Sequence, residues 1–425
     1  MKICVVAYKF GNEKEIGEHL GFYHYFIEKM RCLVRKGHEV CVVCPYLSFI
    51  EKGSIDVSGV KVVRYWPPML NILWLFPINR LMRWVYLKQT QRHVLKTVKS
   101  IKPDFIYIWQ ARETGFAISQ IKEKLKVPFI FHQITAWYWH FERSSKDIFG
   151  KRKWYKLANN IGLGSAMDKI LEFLLDKRSQ LHYAKTIYEK ADKIIFLSKA
   201  AIEEGRKFGL DTSKTCDLGV AIEEDIFRPQ GEKLQLRNNL GIKGDKVILF
   251  IGRINFDEKG IGYLLEAMPC IVEKIPRVNL VIIGGGGERK RMDVLIQQLG
   301  IKNNVQTVGK KPNSLLPKYI NASDVLAVPS VWMEAFGKVT IEAMSCGVPV
   351  ITTDVGASPE ININGETGFV IPARNSQAIV DAIVKILSDD GLRKKMGEAA
   401  RRRVLENYTY DAIINKFLKI IQSTP

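Results

Sequence analysis

Short apolar runs alternate with amphipathic stretches along nearly the whole chain. The runs at 2–7, 39–44, 104–108, 128–132, 193–197, 247–251, 279–284, 305–308, 325–328 and 348–352 read as strands. Between them the spacing predicts helices at 22–36, 82–99, 115–125, 198–208, 261–274, 287–299 and 375–387, with a further amphipathic helix over 407–422. Strands interleaved with helices imply parallel sheets built from βαβ units. About ten such strands are too many for one sheet of this kind, so the expected fold is α/β with two Rossmann-like domains facing across a cleft. The segment DLGVAIEEDIFRPQGEK, 217–233, has turn formers and acids but little periodicity, which marks a junction. The expected division is 1–222, 223–405 and a C-terminal amphipathic helical segment, 406–425.

Composition narrows the class. The chain has 425 residues, 47% of them apolar and 25% charged, as in a globular protein with a large core. It contains no run of about 18 apolar residues, so no membrane-spanning helix is expected. The opening MKICVVAYKFG reads as a strand and not as a secretory leader, which predicts a cytoplasmic protein. The seven Cys are an odd number and several sit in apolar runs. Cys41 and Cys44 have CxxC spacing inside a strand-like stretch with no second pair, so core thiols are expected there and not a zinc site.

Charge is uneven. Of the formal +20, residues 1–210 hold 36 Lys and Arg against 19 Asp and Glu, an excess of 17; the remainder holds 28 against 25, an excess of 3. An anionic partner is therefore expected to meet the first half. Residues 65–99 sharpen this, combining Trp66, Trp74 and Trp84 with Arg80, Arg83, Lys88, Arg92 and Lys96. Aromatic and aliphatic groups beside cations suit an anionic membrane surface, whose head groups and apolar boundary they match together. The plainer reading is a helix packed on its own domain with a solvated basic face.

The second half carries the chemistry in five segments. FIGRINFDEKGI, 250–261, places Gly252, Arg253 and Lys259 just after a strand, where α/β folds bind ligands. Arg offers a fork for phosphate oxygens and Lys a point charge. VIIGGGGERKRM, 281–292, runs from strand through four glycines into a helix, where bare backbone can approach a nucleotide. VQTVGKKP, 305–312, is a short strand and turn ending near Lys310, with backbone able to read a base edge. SVWMEAFGKVTIEAMSCGVPVI, 330–351, reads as loop, helix and strand, with Glu334 in the loop and Glu342 in a short helix from Lys338 to Ser345. Acids in such apolar company are costly unless partnered, and paired hydroxyls of a sugar or ribose are suitable donors. TDVGASPEININGETGFVIP, 353–372, is a Gly-rich loop suited to the same cleft.

These segments, in this order, resemble the retaining, metal-independent glycosyltransferases of the GT-B fold. Glu334 and Glu342 match that family's E-x7-E motif. GRINFDEKG is similar to its Arg-and-Lys diphosphate loop, LGVAIEEDIFRP to its domain junction and RKGHEV to an N-terminal strand entry. The resemblance implies that Arg253 and Lys259 hold the donor diphosphate without a metal, that Glu342 binds ribose, and that Glu334 contacts the donor sugar. Backbone around Phe336, Gly337 and Lys338 would lie nearby, and the Lys310 region would meet the base. It further implies retention of configuration, Gly21 in the first N-terminal loop as a phosphate contact, His132 beside the sugar and acceptor, and a last helix, 406–425, crossing back to the N-terminal domain. The partners implied are a nucleotide-sugar donor and a lipid-linked or glycan acceptor, as in the synthesis of surface polysaccharide or glycolipid, at the inner face of the membrane. No cofactor and no metal are expected. A small soluble acceptor, or a nucleotide-sugar 2-epimerase sharing the architecture, are alternatives. A nucleic-acid-binding role fits the net charge, but no binding motif accompanies it. An inactive scaffold would not need the acids and cations intact.

Overall fold

The computed structural model describes residues 1–16, 20–48, 52–67, 76–109, 112–134, 177–207 and 209–424, with isolated positions at 50 and between 157 and 166. The chain forms two compact units. The first comprises Met1–Leu197, Ala201–Leu218 and Phe417–Pro425; the second comprises Ser198–Ala200 and Gly219–Lys416.

The sheet of the first unit has eight strands: β1 (Lys2–Ala7), β2 (Glu39–Pro45), β3 (Asp56–Val57), β4 (Val60–Tyr65), β5 (Phe105–Trp109), β6 (Phe129–His132), β7 (Lys193–Phe196) and β8 (Thr215–Asp217). Their order is β3-β4-β2-β1-β5-β6-β7-β8. All neighbours are parallel except β3 and β4, which form a hairpin pairing Val57 with Val60. Its two turn residues, Ser58 and Gly59, both have positive φ, +54° and +83°, as a tight hairpin turn requires. The central strands β1, β2 and β5 are buried almost throughout, which explains their unbroken apolar runs. Cys41 and Cys44 lie buried in β2 as free thiols. Helix Phe76–Ile101 packs its C-terminal half through Tyr86, Thr90 and Val94, and Thr90 is bonded to the hydroxyl of Tyr65 at 2.6 Å. Leu81 and Trp84 on the same helix are 60% and 57% exposed, and Lys88, Arg92 and Lys96 are exposed with them. Trp66 is also exposed, whereas Trp74 lies outside the described residues. The helix expected over 115–125 is two shorter ones, Arg112–Ser119 and Lys122–Leu125. No helix among the described residues is long and apolar enough to cross a membrane.

The second unit is a six-stranded parallel sheet: β9 (Lys246–Ile251), β10 (Val278–Ile283), β11 (Val305–Gly309), β12 (Val325–Val328), β13 (Val350–Thr353) and β14 (Gly368–Ile371). The order is β11-β10-β9-β12-β13-β14. Counted from β9, this is the 3-2-1-4-5-6 arrangement of a doubly wound nucleotide-binding sheet, and it reverses direction between β9 and β12. One face packs on helices Ile261–Lys274 and Ser376–Ser388 through Ile248, Leu264, Met268, Ile282, Ile383 and Ile386. At the amino edge, Asp324 accepts bonds from Arg237 and from the backbone of Val247, both at 2.7 Å, and from Lys233 at 3.1 Å. Burial alone would push this carboxyl up, but Lys233 and Arg237 outweigh it and hold it below its usual range.

Candidate active site

Because every strand of the second sheet is parallel, all its carboxyl ends share one edge. The loops that follow β9, β10, β11 and β12 therefore converge there. Gly252 and Arg253 follow β9, Gly284–Gly287 follow β10, Lys310 follows β11 and Glu334 follows β12. The reversal point between β9 and β12 brings the first and last of these side by side, where open α/β sheets form a ligand crevice.

Side-chain contacts make the cluster specific. Asn255 caps the short helix Phe256–Lys259 by accepting from the Glu258 backbone at 2.8 Å. That turn aims Lys259 at Glu334, and the two form an ion pair. Ser330, one turn before Glu334, donates to the same carboxylate oxygen at 2.7 Å. Arg253 extends outward, two-thirds exposed, and is held by Glu258 at 2.6 Å. The Glu258 carbonyl also accepts from the Val331 backbone at 3.0 Å, tying the loop after β9 to the loop after β12. Each of the two cations thus rests against a carboxylate.

Glu342 is placed differently. Gly337, with φ of +95°, starts helix Lys338–Ser345, which is buried on all sides from Thr340 to Ser345, Glu342 included. Glu342 is 2% exposed. Burial pushes its pKa up to about 7, against the opposing pull of Lys338, whose ammonium is 3.5 Å away. Phe336 is buried with its ring 5.6 Å from that of Tyr408, which fixes the strand of backbone entering this helix. On the far side of Glu334, its carbonyl accepts from Ala357 at 2.9 Å, which anchors the Gly-rich loop after β13.

Two of the glycines after β10 are required by the neighbouring loop. A Cβ on Gly284, whose φ is +148°, would lie 1.8 Å from the Gly252 carbonyl, and one on Gly286 would lie 2.4 Å from the Ile254 carbonyl. The Gly285 position lies under the aliphatic part of Lys310, whose head is exposed. Close packing of the loops after β9 and β10 is therefore what these residues secure.

The two remaining sites expected from sequence lie in the first unit. Gly21 sits in the first turn of helix Leu20–Arg35. His132 is the last residue of β6 and is fully buried, bonded through Nδ1 to the hydroxyl of Tyr107. Glu258, Ser330, Lys29 and Tyr107 were not singled out by sequence. Glu258 and Ser330 stand inside quoted motifs, and Lys29 interrupts an apolar helix face made by Phe26, Met30 and Leu33. Among the described residues, no group of three or more His, Cys, Asp and Glu side chains is arranged to hold a metal ion.

Comparison with known proteins bears on the family and the fold. Residues 232–403 match the family model described as glycosyl transferases group 1. An uncharacterized glycosyltransferase of Methanocaldococcus jannaschii is 36% identical over 199 residues, 47% of this chain and 50% of the relative. A phosphatidyl-myo-inositol mannosyltransferase of Mycobacterium leprae is 30% identical over 178 residues, 42% of this chain and 46% of the relative. The chain spans about half the length of these curated relatives. Among solved structures, sucrose-phosphate synthase from Thermosynechococcus elongatus superposes with a TM-score of 0.71 at 21% identity, covering 99% of this chain and 98% of that one. HepE of Anabaena, solved in complex with UDP, gives 0.70 at 18% identity over both whole chains. These likenesses place the fold in the GT-B class.

Proposed function

We propose that this chain, whose residues 232–403 match the family model of glycosyl transferases group 1, is a retaining glycosyltransferase. It would move a sugar from a nucleotide-sugar donor to a lipid-linked or glycan acceptor. What carries the reading is the convergence of Arg253, Lys259 and Glu334 on the carboxyl edge of a doubly wound sheet, beside its reversal point, with Glu342 buried in the helix that follows.

A nucleoside diphosphate needs cations near its oxygens and hydroxyl acceptors near its ribose. Arg253 and Lys259 supply the first by exchanging their carboxylate partners for diphosphate oxygens, and they stabilise charge on the leaving group without a metal. Glu342 supplies the second: a ribose diol donating to its carboxylate would offset the burial that holds it up near 7. Glu334, released from Lys259, would accept from the donor sugar, and the acceptor would attack from the face the diphosphate leaves. The backbone at Phe336–Lys338 borders the sugar, and Lys310 borders the base. Within the first unit, Gly21 would contact a phosphate and His132 a sugar hydroxyl.

The lipid side of the proposal rests on the face of helix Phe76–Ile101. Leu81, Trp84, Lys88, Arg92 and Lys96 recur three or four residues apart, so they project together. Two large apolar groups followed by three cations would dock on an anionic bilayer surface at the cytoplasmic face. The naming of one relative as a phosphatidyl-myo-inositol mannosyltransferase is in keeping with an acceptor at that surface.

Thermal unfolding with UDP-, GDP- and ADP-sugars tests the donor assignment. A ligand bound only by the folded state adds about 2.7 kcal/mol at a hundred-fold excess over Kd. One nucleotide class is expected to raise the midpoint, and the double variant Arg253→Ala/Lys259→Ala is expected to lose the rise. A rise that survives in the variant would remove these two residues from the diphosphate site.

A further inference from the structure

Lys29 lies fully buried on the inner face of helix Leu20–Arg35, among the buried side chains Phe26, Met30 and Leu33. No carboxylate is paired with it among the described residues. Its Nζ donates to the Tyr107 hydroxyl at 2.9 Å and stands 3.7 Å from the ring centroid of Phe417 and 4.7 Å from that of Tyr107. Tyr107 in turn is bonded to Nδ1 of His132. The imidazole is further fixed by the indole of Trp109, edge to face with centroids 4.9 Å apart. Its Nε2 is buried and has no partner among the described residues.

The chain of bonds has a direction. Lys29 Nζ donates to the Tyr107 oxygen, which therefore accepts. The single hydroxyl hydrogen is then left for Nδ1 of His132, which accepts. A neutral imidazole accepting at Nδ1 carries its proton on Nε2. Burial keeps His132 well below its usual range, and the Lys29 charge adds to this, so the ring is neutral. Burial also pulls Lys29 well below the usual lysine range, with Cys216 opposing it; the two aromatic faces favour the cation. The other titratable group beside Tyr107 is Tyr25, itself buried. The outcome is a buried N–H with no acceptor among the described residues, a costly state that a ligand accepting from it would relieve.

We infer that Lys29 and Tyr107 are positioning residues that hold His132 in the Nε2–H form, ready to donate a hydrogen bond to a hydroxyl oxygen of a sugar bound at the carboxyl edge of β5 and β6. The tautomer is a property of the chain; the sugar as recipient rests on the glycosyl transfer reading.

The test is the ring-nitrogen spectrum of His132 in the full-length ¹⁵N-labelled protein, assigned by its loss in His132→Gln. The wild type should show a protonated Nε2 and a bare Nδ1. Tyr107→Phe, which deletes one oxygen, and Lys29→Met, which deletes the ammonium, should each populate the form protonated at Nδ1. If Lys29→Met does not fold, Tyr107→Phe reads the same link. A wild type protonated at Nδ1, or a tautomer unmoved by the substitutions, overturns the inference. This arm needs no substrate, so its result is independent of whether the chain transfers a sugar. With an active donor in hand, both variants should lower kcat roughly ten- to hundred-fold and leave the donor KM within about threefold. A fall in donor affinity with kcat intact would make Lys29 and Tyr107 part of the binding scaffold and would also overturn it.

Discussion

Glu334 and Glu342 share a motif and differ in physics. Glu334 is partly exposed, paired with Lys259 and bonded to Ser330, so its charge is supported before any ligand arrives. Glu334→Ala should therefore abolish transfer while nucleotide binding persists, read by product formation beside a nucleotide titration; near-normal transfer would rule out its assigned contact with the sugar. Glu342 has lost most of its water and keeps Lys338 at 3.5 Å as partial compensation. An acid whose folded pKa is raised from 4.5 to about 7 binds its proton more tightly in the folded state. Stability must then fall as pH rises across that interval and level off above it, by about 3 kcal/mol in all. Urea melts at pH 5 and pH 8 should show this fall in the wild type. Glu342→Gln should lack most of it, and an equal fall in the variant would mean the carboxyl is not the source. The same group makes nucleotide binding release protons near pH 6 if a ribose diol restores its charge.

Among elements, the buried parallel strands were legible because strands covered on both faces cannot tolerate polar residues. β1 and β12 fall at their expected positions, and most others within two residues. Helix Lys338–Ser345 was equally legible, since Gly337 and the apolar spacing after it leave little choice. The strands missed are those whose burial is partial or whose length is short. β3 and β4 are separated only by Ser58-Gly59, a turn signal that a search for βαβ spacing passes over. β14 begins at a glycine inside what reads as a loop. Sequence brought Arg253, Lys259 and Glu334 to one strand edge, but not their pairing with Glu258 and Ser330, which depends on how two loops from distant positions are laced together. The glycine run after β10 was read as room for a ligand; the need for Gly284 beside the Gly252 carbonyl was not legible. Gly284→Ala should cost on the order of 3 kcal/mol in urea unfolding, because backbone and not a flexible side chain stands in the way. A loss under about 1 kcal/mol would show that the two loops can part readily.

At the level of the whole molecule, the charge excess sits in one half of the sequence, and so does the exposed Leu81–Trp84 face. If both serve one surface, sedimentation with phosphatidylglycerol-containing vesicles should capture the protein at low salt. Capture should weaken sharply toward 0.5 M salt, where screening shortens to a few Å, and Leu81→Ala/Trp84→Ala should reduce it further. Binding that ignores salt, or neutral vesicles that bind equally well, would count against an anionic surface. The first unit has a second property, visible only in how the chain is divided. It holds Met1–Leu197 and Ala201–Leu218 but is completed by Phe417–Pro425, and Phe417 supplies the ring that covers Lys29. On a ribosome adding about 5–20 residues per second, the roughly 200 residues between these segments take about 10–40 s to appear. For that time the nascent first unit has its sheet but lacks the cover over its buried amine. The second unit is made in full meanwhile, so the half that begins first is finished last.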